Sequence, residues 1–205
     1  VRNTEYYNGS VSTMFYSFRR DHTDLGYSYR YDGLNRLIEA GCINGPFHER
    51  MSYDKNGNVL TLNREGVTNI GPYDWPDFSS TYNLDDLTYT YDGNRLKKVD
   101  DGGYGHVDNY NWAYFSDEVS RPEEYLYDKN GNMIADYNKK VSKIEYNSLN
   151  LPTRLQMQYG HMAEFYYDPS GVKYKEVYKT SRSNINVAMS SIVPLTSSQT
   201  LMTEE

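Results

Sequence analysis

The 205-residue chain carries 21 Lys and Arg against 28 Asp and Glu, and its net charge of −7 argues against nucleic acid, whose phosphates need a basic face. Its 23 tyrosines outnumber 6 Phe and 2 Trp while hydrophobic residues make up only 38%, so the core is expected to be amphipathic, with rings buried and hydroxyls reaching an edge. A single cysteine, Cys42, excludes an internal disulfide framework, and no apolar run approaches the roughly 20 residues that span a bilayer.

Val1-Arg2-Asn3 leads straight into repeat-like sequence with no signal peptide, so the chain reads as a piece of something longer. Tyr6-Tyr7 and the run Val11 to Phe18 suggest a strand pair, followed by a polar turn around Arg19 to Asp24. Residues 27–40 predict a hairpin in which Tyr27, Tyr29 and Tyr31 share one face and Leu37 begins the return. After a loop from Gly41 to Pro46, Tyr53 ends a strand and Val59 opens its partner. Breakers Gly66, Gly71, Pro72 and Pro76 mark a loop insertion over about 63–84. The next hairpin pairs Leu87–Tyr91 with Leu96–Val99, and a second insertion spans about 100–122. Three further hairpins fill 123–180 with few extra residues, and the Ser/Thr-rich stretch 181–205 is expected to be a frayed strand and a disordered tail.

One unit recurs throughout. Tyr125-Leu126-Tyr127-Asp128-Lys129-Asn130-Gly131-Asn132-Met133 reads as strand, turn and returning strand. Asp128 is placed to accept hydrogen bonds from the turn backbone, and Gly131 to supply the positive φ that closes a type I turn with a one-residue bulge. Copies begin at Tyr31-Asp32, Tyr53-Asp54 (with Gly57), Tyr91-Asp92, Tyr146-Asn147 and Tyr167-Asp168 (with Gly171), and Tyr7-Asn8-Gly9 is a degenerate first copy. Where glycine is missing, Asn35 and Asn150 take its place, the other residue that tolerates the left-handed region. The Asp92 copy is one residue shorter, so Gly93-Asn94 predicts a two-residue primed turn. The motif tyrosines step by 22 residues from Tyr31 to Tyr53, 19 from Tyr127 to Tyr146 and 21 from Tyr146 to Tyr167. A period near twenty means one supersecondary unit stacked on its neighbours. The expected fold is all-β: tandem hairpins in one curved antiparallel sheet over residues 1–180.

The repeated aromatic-x-Tyr-Asp-x-x-Gly-Asn/Arg-Leu pattern, best seen in Tyr27–Leu37, Tyr89–Leu96, Tyr125–Met133 and Phe165–Val172, resembles the YD-repeat or RHS-repeat family. That family includes bacterial wall-associated and polymorphic-toxin proteins, toxin-complex components and teneurins. The resemblance implies hairpins spiralling into a hollow shell, which in toxin members encloses a C-terminal effector. Six or seven repeats are too few for a complete shell, so a partial one is expected, on a secreted or cell-surface bacterial protein.

Little in the sequence points to catalysis. Asp168-Pro169-Ser170-Gly171 is similar to Asp-Pro-x-Gly elements at the self-cleaving end of some family members, but it falls in register with the other repeat turns. Gly102 to Asp108 partly matches a glycine-rich calcium-binding repeat, yet it is a single copy with His106 where the first acidic ligand belongs. His22, His48, His106 and His161 show no metal-ligand spacing, and Cys42 reads as a small semi-buried hydrophobe. Neighbours on a strand face opposite ways, so neither Glu123-Glu124 nor Asp85-Asp86 makes an acid/base pair. No enzyme activity, cofactor or metal is expected. The partners expected are the rest of the parent polypeptide or an enclosed effector, and the open sheet edges predict edge-to-edge pairing of copies or cover by the chain's own loops or tail. The alternative is a carbohydrate-binding surface module. Tyr73, Trp75 and Phe78 in one loop, and Trp112, Tyr114 and Phe115 in another, would stack on a cell-surface glycan, unless both clusters fold back over the sheet.

Overall fold

The computed structural model describes residues 5–18, 23–43, 45–67, 70–71, 75–76, 81–103 and 114–204. Within them every regular element is a strand. In chain order these are β1 (Thr13–Phe18), β2 (Thr23–Tyr31), β3 (Leu37–Cys42), β4 (His48–Tyr53), β5 (Val59–Val67), β6 (Ile70–Gly71), β7 (Trp75–Pro76), β8 (Thr81–Asp92) and β9 (Arg95–Asp101). The second half holds β10 (Tyr125–Tyr127), β11 (Met133–Asp136), β12 (Val141–Tyr146), β13 (Pro152–Met157), β14 (Met162–Tyr167), β15 (Lys173–Ser181) and β16 (Thr200–Glu204). The strands form two open seven-stranded sheets, ordered β1-β2-β3-β4-β5-β8-β9 and β10 through β16 in sequence, with β6 and β7 as a separate ribbon. The paired strands are antiparallel.

Two compact units divide the chain: residues Val1–Thr90 with Val99–Ser116, and Tyr91–Lys98 with Asp117–Glu205. The expected single sheet is therefore two, because the succession of paired strands stops at the second insertion, between β9 and β10. The first insertion is shorter than the sequence suggested. Strands β5 and β8 extend into it and pair as far as Val67 with Thr81. Tyr6 and Tyr7 form no strand, and β1 pairs instead with β2.

Five motif tyrosines sit where the strand register slips. The shift falls at Arg30/Tyr31, Ser52/Tyr53, Leu126/Tyr127, Glu145/Tyr146 and Tyr166/Tyr167. This is the bulge that a turn with one left-handed residue produces, and it adds local twist at the same point of these five repeats.

Alternation along the strands gives each sheet a charged face. In the first, Arg30, Glu39, Arg50 and Glu65 form rungs across β2, β3, β4 and β5, at 2.5, 3.5 and 2.8 Å. In the second, Glu145, Arg154, Glu164 and Lys179 cross β12 to β15 at 3.3, 3.4 and 2.7 Å. Opposite signs stand directly across in Arg30–Glu39, Glu39–Arg50, Glu145–Arg154 and Arg154–Glu164 and diagonally in Arg50–Glu65 and Glu164–Lys179, both favourable cross-strand arrangements. Among the described residues the buried apolar ones are Ala40, Cys42, Leu87 and Val99 in the first unit, and Tyr125, Ala135, Val141, Met162, Ala163, Val177 and Val187 in the second.

Residues 182–204 differ most from expectation. The sequence predicts a disordered tail, whereas Val187 is 1% exposed and β16 pairs with β15 from Tyr178↔Glu204 to Ser181↔Thr200. Main-chain bonds to the second sheet secure this segment, and neither its polar composition nor its local pattern announces them.

Candidate functional site

The motif turns repeat atom for atom. The Oδ1 of Asp32 accepts the N–H groups of Leu34 and Arg36 at 2.8 and 2.9 Å. Asp54 does the same for Asn56 and Asn58, and Asp128 for Asn130 and Asn132, at 2.8 to 2.9 Å. Asp168 holds Ser170 and Val172 at 2.8 and 3.0 Å, so Asp168-Pro169-Ser170-Gly171 is built like the other turns. Asn147 serves Leu149 and Leu151 with its amide oxygen at 2.9 and 3.1 Å. The left-handed residue is Asn35 (φ 60°), Gly57 (93°), Gly131 (88°), Asn150 (58°) or Gly171 (88°). In the shorter copy Gly93 takes φ 61°, as a two-residue primed turn requires. Asp92 of that copy lies 3.6 Å from Arg95.

These bonds favour the ionised carboxylate. Asp32 is held below the usual range, first by the Arg36 amide, Asp54 by the Asn58 side chain, Asp128 by the Asn132 side chain and Asp168 by the Ser170 hydroxyl. Side chains also tie one turn to the next: Arg36 donates to the Asp54 carbonyl at 2.8 Å, and Asn132 to the Asn150 Oδ1 at 2.9 Å.

The motif tyrosines supply a second link between copies. Tyr53 donates its hydroxyl to the Leu37 carbonyl at 2.6 Å, Tyr146 to Met133 at 2.6 Å and Tyr167 to Pro152 at 2.9 Å. Each acceptor is the first residue of the return strand of the preceding hairpin. Tyr31 reaches the Val11 carbonyl of the degenerate first copy at 3.1 Å, and the Tyr127 hydroxyl meets the Leu96 backbone, after Tyr91-Asp92. Burial raises the pKa of Tyr53, Tyr127 and Tyr146, which favours the neutral hydroxyl that Tyr53 and Tyr146 donate.

Two carboxylates lie fully inside. Asp85 faces Arg64 and accepts the Phe115 amide at 2.5 Å, while its neighbour Asp86 is exposed. Glu124 accepts the Asn138 amide at 2.9 Å, while Glu123 turns outward to Lys97 at 3.3 Å. The opposed faces of Asp85 and Asp86 follow from strand alternation on β8, whereas Glu123 and Glu124 lie just before β10, outside any strand. Beside Glu124, the hydroxyl of Tyr125 is pushed up to about 12, chiefly by burial.

Of the residues proposed to hold a glycan, Tyr73, Phe78 and Trp112 lie outside the described residues. Trp75 belongs to the two-residue strand β7, and Tyr114 is half-buried next to Phe115, whose amide is bound to Asp85. Cys42 is a buried free thiol. His48 stands against Gly41, and His161 Nδ1 accepts the Ser181 amide at 3.1 Å. Among the described residues no three His, Cys, Asp or Glu side chains are grouped to hold a metal ion, and no helix is long and apolar enough to cross a membrane.

Sequence reasoning missed the contacts that seat residues 187–193 along the rim opposite the motif turns. Gln156, fully buried, accepts the Val193 amide on Oε1 at 2.7 Å and donates Nε2 to the Val193 carbonyl at 2.8 Å. The carbonyls of Gln158 and Ser142 accept the amides of Val187 and Ser190, both at 2.8 Å. Nothing near Gln156 in sequence signals this, since its partner lies 37 residues on.

No family model and no curated protein matches the sequence. Among solved structures, the chain is similar to a chain of the Photorhabdus luminescens Tc holotoxin pore, with TM-score 0.50 and 15% identity over 82% of this chain and 9% of that one. A crystal structure of TcdB2-TccC3 gives TM-score 0.48 and 16% identity, over 85% of this chain and 11% of that one. This chain thus spans about a tenth of the length of either. In fold, the present chain is similar to a part of the Photorhabdus toxin chain.

Proposed function

We propose that the chain is a wall segment of an RHS-type, YD-repeat shell, a non-enzymatic part of a secreted or cell-surface bacterial protein. Its work is to enclose or present another polypeptide, either a further stretch of its own parent or a separate effector. The observation that carries this reading is the copy-to-copy tyrosine bond. Three repeats, those of Tyr53, Tyr146 and Tyr167, donate to the strand start of the one before, so the unit is built to be extended in one direction by more of itself. The likeness in fold to part of a toxin-complex chain supports it. The charged rungs suit the reading too, since they present a wetted face with its charges already matched.

The test is limited proteolysis of the chain within its native polypeptide, recovered from the producing cells, with fragments identified by mass spectrometry. The expected result is a segment outside the repeats that resists protease until the sheets unfold, and becomes susceptible at the same denaturant concentration. A native polypeptide whose non-repeat segments are all cut as fast as unfolded sequence would overturn the reading.

A further inference from the structure

On the face of the first sheet opposite its charged rungs, one straight row crosses five strands. Tyr29 pairs with Ala40, Ala40 with Glu49, Glu49 with Arg64 and Arg64 with Asp85. A cleft of about 410 Å³ opens along this row. Tyr27 and Tyr29 form one side of it, their ring centres 6.4 Å apart and their planes within 21° of parallel. Ala40 lies in the middle, and the exposed Glu49 stands on the far side. Tyr29 and Glu49 are two inter-strand spacings apart, about 9.5 Å at the backbone, and the alanine methyl between them fills little of that width.

The charges lining the cleft do not balance. Arg64 is committed to the buried Asp85, and Glu65 is matched by Arg50 at 2.8 Å. Among the described residues nothing holds the Glu49 carboxylate. The cleft therefore offers an unmatched carboxylate across from two tyrosine rings, whose π-faces also attract cations. The chain fills an equivalent arrangement itself. The Arg36 guanidinium lies 4.6 Å from the centre of the Tyr53 ring and meets the Asp32 carboxylate at 2.6 Å. There, ring and carboxylate close on a planar cation supplied by the same chain.

We propose that the cleft between Tyr29 and Glu49 binds a guanidinium group, with Glu49 accepting its N–H donors and the tyrosine rings receiving its flat side. A guanidinium suits this place better than an ammonium, because it is planar, weakly hydrated and able to stack and donate at once. On an arginine, the aliphatic stem would lie along Leu37 and Leu84, which also line the cleft. The inference is independent of the shell reading. It concerns one face of the first sheet and stands whether or not the repeats enclose anything.

The test titrates N-acetyl-arginine methylamide into the full 205-residue chain and follows backbone amide and tyrosine ring signals by NMR. The expected result is a set of saturable shifts at Tyr27, Tyr29 and Glu49. They should be absent with N-acetyl-citrulline methylamide, which has the same shape without the charge. Glu49→Gln, a change at an exposed position, should weaken the binding roughly three-fold or more. Methylguanidine separates the two sources of the group: tighter binding of the blocked arginine assigns the site to a polypeptide side chain, equal binding assigns it to the bare cation, and either supports the proposal. It is overturned if no saturable shift appears at these residues, if citrulline matches arginine, if Glu49→Gln leaves the affinity unchanged, or if N-acetyl-lysine methylamide binds as tightly as the arginine compound.

Discussion

The tyrosine bond between repeats makes the most direct prediction. Replacing Tyr146 by Phe keeps the ring and deletes only the hydroxyl that donates to the Met133 carbonyl at 2.6 Å. Tyr167→Phe does the same at Pro152, where the bond is 2.9 Å. Both hydrogen bonds are partly buried, so each loss should cost about 0.5–1.5 kcal/mol and the pair about 1–3 kcal/mol. With a urea slope of about 2 kcal/mol/M, that is on the order of 0.5 M in midpoint per tyrosine. The measurement is urea unfolding followed by far-UV circular dichroism on the single and double variants. Tyr178→Phe serves as the control, since Tyr178 is exposed and its hydroxyl donates to Glu176 at the surface, so its removal should leave the midpoint in place. Tyr146 and Pro152 are cross-strand partners, so the two losses are also expected to couple, and the double variant measures that coupling. Midpoints of Tyr146→Phe and Tyr167→Phe indistinguishable from the control would refute the reasoning: the rings alone would then hold the copies together.

Further expectations follow from the turns and from Tyr125. Asp128→Asn should fold normally at neutral pH, because Asn147 already fills the same role with an amide, whereas Asp128→Ala should show a lower melting temperature. The folded-state pKa of Asp32, Asp54, Asp128 and Asp168 lies below the ordinary 3.8, so their stabilisation is full above that value and is lost as the pH falls through the folded-state values; acid unfolding of Asp128→Asn should show a shallower pH dependence than the unaltered chain. Gly131→Ala should cost about 1 kcal/mol or more at φ 88°, and Gly131→Asn less, as thermal melts will report. Tyr125, raised from 10.0 to about 12, stabilises the fold fully below pH 10 and loses that contribution as the pH climbs through 12; Tyr125→Phe should weaken the alkaline unfolding transition.

The chain's hairpins were legible because everything that makes them lies within a few residues. Asp54 closes its turn on Asn56 and Asn58, and Gly57 takes the left-handed conformation, so a five-residue window contains donor, acceptor and backbone constraint together. The substitution of Asn35 and Asn150 for glycine was readable for the same reason, since tolerance of positive φ belongs to the residue itself. The opposite faces of Asp85 and Asp86 on β8 followed from strand alternation alone.

Other features depend on groups far apart in sequence, which no local pattern encodes. Tyr146 was recognisable as a repeat marker, but its bond to Met133 exists only once two hairpins are stacked. Asp85 and Arg64 are unremarkable in sequence until β5 and β8 pair and bury the carboxylate. The division into two sheets and the capture of residues 182–199 by Gln156 were likewise decided in three dimensions. A polar Ser/Thr-rich stretch has too little apolar surface to order itself, so its own sequence predicts disorder. Here order comes from carbonyls and an amide that a distant part of the chain had already fixed in place, and only the folded sheet could supply them.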